Sequence, residues 1–72
     1  MQYQGHNSKA AWNVALWIGN DEGLYRFALD CIRHSKTKNL AARTMLESLP
    51  ERTPDGFRYT FSSVRQALID LE

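Results

Sequence analysis

Between Ala10 and Ile18 only Asn13 is polar, and both tryptophans of the chain, Trp12 and Trp17, stand in that short run. No feature constrains the fold more. Asn7 or Ser8 supplies a side-chain oxygen for a first-turn amide, so a helix begins at about Lys9. Trp12, Ala15, Leu16 and Gly19 follow the i, i+3, i+4, i+7 spacing of one helical face, while Val14, Trp17 and Ile18 occupy another. At about 100° per residue, Trp12 and Trp17 point roughly 140° apart. One packing surface cannot take both. Either the helix is sandwiched between two other elements, or one tryptophan lies at a surface that another molecule covers.

The rest of the chain must therefore supply covering surfaces from few residues. Seventy-two residues make one domain, residues 1–72, and a chain of that size buries only about 60% of its unfolded surface. Eight aromatic residues help, since each buries about 150–250 Å². Nine Lys and Arg against eight Asp and Glu give a formal charge of +1, which is no global footprint for nucleic acid but leaves room for a local patch. The lone Cys31 excludes an internal disulfide and fits a reducing cytosol. The residues before Asn7 lack a basic stretch followed by an apolar run, so no signal peptide is read there. The longest uninterrupted apolar run, Val14 to Ile18, falls far short of the roughly 20 residues that span a bilayer. A cytoplasmic protein without membrane contact is expected.

Gly19 is placed to end the first helix in the left-handed conformation. Asn20 then caps a second helix from about Asp21 to His34, with Asp21 and Glu22 near its positive end. The alternative, Asn20-Asp21-Glu22 as a metal or phosphate site, lacks further ligands. Residues 1–8 read as a flexible lead-in. In the second helix Leu24, Phe27, Ala28, Cys31 and Ile32 form one apolar stripe, and Glu22–Arg26 and Arg26–Asp30 are opposite charges at i, i+4. Cys31 and His34 share a side, yet a thiol inside the stripe is ordinarily inert, and a histidine near a C-terminus satisfies the last carbonyls.

The next loop carries Arg33, Lys36 and Lys38, with Arg43 projecting nearby from a third helix, about Leu40 to Leu49. This local positive patch suits phosphate or an acidic protein surface, or is a solvated loop completing the helix dipole. It is a poor helix-turn-helix, because the loop exceeds the usual 3–4 residues and the helix after it offers few base-reading side chains. Thr37 or Asn39 caps the third helix, whose face is Ala42, Met45, Leu46 and Leu49. Pro50 stops it. Glu51 to Gly56 is a turn in which Pro54 presets φ, Asp55 bonds its own backbone and Gly56 supplies a positive φ. Phe57, Tyr59 and Phe61 alternate with polar residues, predicting a short extended segment that is not sheet, unless it pairs with residues 1–5. A last helix starts at Ser62 or Ser63 with a Ser63–Gln66 capping box. Val64, Ala67, Leu68 and Leu71 form its inner face, with Ile69 partly exposed. The expected fold is a mostly α bundle of about four helices with an extended aromatic segment before the last.

The series Trp12-Asn13-Val14-Ala15-Leu16-Trp17-Ile18, then Asn20-Asp21-Glu22-Gly23-Leu24-Tyr25, together with Thr53-Pro54-Asp55-Gly56, resembles a family of small bacteriophage and prophage proteins. Ala11 stands where that family tends to have Thr, and residues from about Arg33 to Leu49 look unlike it. The resemblance implies a small phage protein acting inside a bacterium by binding a host protein, with blockade of a CRISPR effector or restriction subunit as the expected role. It would use an exposed aromatic (Trp12, Trp17 or Tyr25) or the patch Arg33, Lys36, Lys38 and Arg43. The runner-up is a nucleic-acid-associated regulator of transcription. Self-pairing into a homodimer stays open. No cofactor, metal or catalytic set is expected, since two His, one Cys and scattered carboxylates assemble no nucleophile, base or metal trio.

Overall fold

The computed structural model describes residues 8–71. The flexible lead-in expected over residues 1–8 lies outside them apart from Ser8. Four helices account for most of the chain: α1 (Lys9–Asn20), α2 (Glu22–Arg33), α3 (Lys38–Ser48) and α4 (Phe61–Leu71). No strand forms among the described residues. Each helix packs on the next in sequence, and α4 closes back on α1. α1 is therefore sandwiched between α2 and α4, one of the two arrangements open to a helix that is apolar nearly all round.

Local chemistry accounts for each boundary. Ser8 Oγ accepts from the Ala11 amide at 3.1 Å and opens α1. Gly19 does not end that helix in the left-handed region as its position predicts, and Asn20 does not cap the next. α1 runs on through Asn20, and Asp21 does both jobs in an extended conformation. Its amide closes onto the Trp17 carbonyl at 2.9 Å, while its Oδ1 accepts from the Leu24 amide at 3.0 Å. One carboxylate at the junction of two helices makes a glycine stop unnecessary. Thr37 caps α3 through Oγ1 on the Leu40 amide.

The last helix starts at Phe61, one or two residues earlier than its serines predict. Thr60 Oγ1 accepts from the Ser63 amide at 3.1 Å and Ser63 Oγ accepts from the Thr60 amide at 3.0 Å. This reciprocal pair replaces the expected Ser63–Gln66 box. Gln66 instead donates to Asp70.

Val14, Ile18, Met45, Val64 and Leu68 are the largest fully buried side chains. Ala28, Cys31, Ala41, Ala42, Tyr59 and Ala67 complete the core, with Phe27, Ile32, Leu46, Leu49, Phe61 and Leu71 packed half-buried against it. The small residues at 28, 41, 42 and 67 fill the space between close helices.

Residues 51–59 form a tight two-limbed loop, not a free extended segment. The Gly56 amide donates to the Thr53 carbonyl at 2.8 Å and the Thr53 amide to the Phe57 carbonyl at 2.7 Å. Arg52 and Arg58 face each other as an isolated antiparallel bridge. Gly56 sits at φ +94°, the left-handed conformation the turn needs. The partner of the returning limb is the outgoing limb of the same loop; any pairing with residues 1–5 lies outside the described residues.

Candidate binding surfaces and the loop that leaves them free

The sole polar residue of the α1 run is the key to how the loop is held. Asn13 is buried, and so is Thr53. The Thr53 hydroxyl donates to Asn13 Oδ1 at 2.9 Å, and Asn13 Nδ2 donates to Asp55 Oδ2 at 2.8 Å. One turn along α1, the Trp17 indole N–H donates to the same Asp55 oxygen at 3.0 Å. Thr53 Oγ1 also accepts from the Phe57 amide at 3.1 Å. Two side chains of a helix thus grip two side chains of a distant turn, and each buried polar atom finds a partner.

Asp55 was expected to bond its own backbone. Its carboxylate is drawn to α1 instead, because Asn13 and Trp17 present two donors at i, i+4 on one helical face. Those hydrogen bonds, from Asn13 first and Trp17 second, hold its carboxyl below the usual carboxylate range. The returning limb brings Tyr59 into the core, where burial pushes its phenol up and Asp21 adds to the rise.

This lock separates the two tryptophans. Trp17 is half-buried with its N–H engaged by the loop. Trp12 is half-buried too, but its indole N–H has no partner among the described residues; neither ring belongs to the groups that pack against the core. Helical spacing sets it on one face with Lys9 and Leu16, both exposed. Leu16 leaves 37% of its surface to solvent and Tyr25 leaves 39%. Tyr25 thus stands on the exposed side of α2.

The basic patch divides. Arg33, Lys36 and Arg43 are exposed, whereas Lys38 is half-buried in the first turn of α3. Arg43 lies over the Phe61 ring, 5.8 Å from its centroid. Arg33 closes α2, where a cation complements the dipole. The residues weighed for chemistry have structural partners. Asp21 caps α2, Glu22 pairs with Arg26 at 2.7 Å, and His34 Nδ1 contacts the Asp30 carbonyl at 2.9 Å. Cys31 is buried, and burial first, with Asp30 second, raises its thiol. Among the described residues, no group of three or more His, Cys, Asp or Glu side chains is placed to hold a metal ion, and no helix is long and apolar enough to cross a membrane.

Sequence reasoning missed Asn13, Thr53 and Asp55 as one unit. The available signal was a lone amide in an apolar helix, which needs a polar partner once buried.

Fold and surfaces together define a small all-helical domain whose one long loop is locked to its first helix. The chain belongs to a family of unknown function (DUF7249), which matches residues 1–70. No match is found among curated proteins or among solved structures.

Proposed function

We propose that this protein is a phage-type inhibitor that binds a host defence protein stoichiometrically, in the manner of an anti-CRISPR. A CRISPR effector or restriction subunit is its target, and it acts in the bacterial cytoplasm by covering a surface. The observation that carries the reading is the exposed face of α1. There half-buried Trp12 and exposed Leu16 stand at i, i+4, and the indole N–H has no partner among the described residues. A large, rigid ring that carries a hydrogen-bond donor is the kind of anchor that dominates protein contacts. The resemblance of residues 12–25 and 53–56 to phage proteins supplies the biological setting.

The test is a plaque assay in bacteria with active CRISPR or restriction immunity, with and without the expressed protein. Expression raises plaque numbers against at least one such system, and the target co-purifies with the protein. Leu16→Asp abolishes both effects while thermal unfolding stays unchanged. Full immunity in every system tested rules the inhibitor reading out.

A further inference from the structure

We propose that the seam between α3 and α4 is a second docking surface, shaped for an acidic amphipathic helix of a partner protein. The two helices run antiparallel: Arg43 meets Phe61 near the start of α4, and Arg65, one turn later, reaches back to Asn39 near the start of α3. Arg43, Leu46, Glu47 and Phe61 line a groove between them.

The charges of this face are left uncompensated. Of the six arginines in the chain, Arg26 pairs with Glu22, Arg52 and Arg58 lie within ion-pair reach of Glu51, and Arg33 closes α2 on another part of the surface with no ion pair of its own among the described residues. Arg43 and Arg65 reach no carboxylate among the described residues. Arg43 rests on an aromatic ring, and Arg65 is held by a neutral amide. Both guanidiniums are pre-positioned, so less side-chain freedom is lost when a carboxylate arrives, and each presents a planar fork that a carboxylate can fill with two bonds. Exposed Lys36, in the loop before α3, adds to the same sign of charge.

Apolar groups interleave with these cations. Leu40 leaves 49% of its surface exposed and Ile69 leaves 38%. Leu40 stands three residues before Arg43, and Ile69 four after Arg65, so helical spacing keeps each beside its arginine. An amphipathic helix laid along two antiparallel helices presents apolar side chains at i, i+3 and i+4 with charges flanking them. Only an acidic version complements Arg43 and Arg65 while covering Leu40 and Ile69. A phosphate backbone answers the cations but not the exposed leucine and isoleucine. It also meets Glu47 at the rim and a chain of net charge +1.

This surface is separate from the Trp12–Leu16 face, and its failure leaves the inhibitor reading standing. The test is amide NMR of the full chain, titrated with three probes. The first is a synthetic peptide of Leu and Glu in helical amphipathic order, the second a scrambled peptide of the same composition, and the third a single-stranded oligonucleotide. The ordered peptide binds saturably, with shifts centred on Leu40, Arg43, Phe61, Arg65 and Ile69, and the scrambled peptide does not saturate. Arg43→Glu with Arg65→Glu weakens binding at least about tenfold. Leu40→Gln weakens it too, with all charges kept. The proposal is overturned by no saturable binding, by shifts confined to α1 and α2, or by an oligonucleotide that displaces the peptide from the same residues.

Discussion

Replacing Asn13 by Ala puts a number on the lock. The Thr53 hydroxyl donates to Asn13 Oδ1 at 2.9 Å with both residues buried. Truncation removes the acceptor and strands the hydroxyl inside the protein. A buried neutral hydrogen bond contributes about 1 kcal/mol net, and orphaning one partner raises the loss to about 1–3 kcal/mol. A domain of this length has roughly 4–11 kcal/mol in total, so the substitution removes a large share of it. At about 2 kcal/mol, the melting temperature falls by roughly 8–16 °C, since each kcal/mol moves a small domain by about 4–8 °C. The lost donor to Asp55 acts in the same direction, but that exposed carboxylate turns to water, so the weight rests on Thr53. Circular dichroism with heat and urea gives the values for Asn13→Ala, Thr53→Val and the double variant. Once Asn13 is gone, Thr53→Val no longer breaks the bond between them, so the two losses couple by about 1 kcal/mol. Losses that add to within about 0.5 kcal/mol refute the reasoning.

Asp55 makes the lock sensitive to acid. Its folded pKa lies below the ordinary 3.8, so between the two values the unfolded chain binds more protons. The carboxylate's stabilisation is therefore complete above the ordinary carboxylate range and lost as pH falls through the folded value. Thermal scans against pH should show a shallower acid slope for Asp55→Asn. The two glycines that sequence makes look alike should respond oppositely to Ala. Gly56→Ala forces a side chain into φ +94° and destabilises by about 1–2 kcal/mol, although its Cβ meets nothing within 4 Å. Gly19→Ala, equally unobstructed but helical, stabilises by up to about 1 kcal/mol; urea midpoints check both. Cys31 should react with a thiol reagent no faster than the protein opens, and fast labelling under native conditions would contradict its burial.

The helices were legible because each carries its own period. Phe27 to Ile32 of the α2 stripe, the face Ala42 to Leu49 and the face Val64 to Leu71 turn inward as their spacing predicts, Leu24 lies outside the residues packed on the core, and Ile69 stays partly exposed. What sequence order hides is which polar group answers which. Gly19 looked like a stop until Asp21 proved able to close one helix and open the next. Residues 57–59 look partnerless in sequence because Glu51-Arg52-Thr53 has no alternating apolar pattern, yet its backbone supplies the other limb, while Phe61 leaves the expected extended segment to begin α4. Asp55 is separated from Asn13 by 42 positions. Local rules favoured its own backbone, and only packing of the loop against α1 reveals the stronger donors.

That last contact gives two distant stretches of the chain one task. The run Trp12–Ile18 and the turn Thr53–Gly56 hold each other within the fold. Asn13 and Trp17 both donate to Asp55, Thr53 donates to Asn13 in turn, and Gly56 is the residue that lets the turn form. Asn13, Trp17, Thr53 and Asp55 therefore serve the scaffold first. The two proposed docking surfaces use other side chains: Trp12 and Leu16 on one face, Leu40, Arg43, Arg65 and Ile69 on another. They do little for the lock. Swapping Leu40, Arg43, Arg65 and Ile69 for those of another family member should carry that member's partner preference with them, as read by co-purification. The same exchange at Asn13, Trp17, Thr53 and Asp55 should change stability alone. If exchange at the lock moved partner choice while unfolding stayed unchanged, the division between scaffold and surface would be wrong.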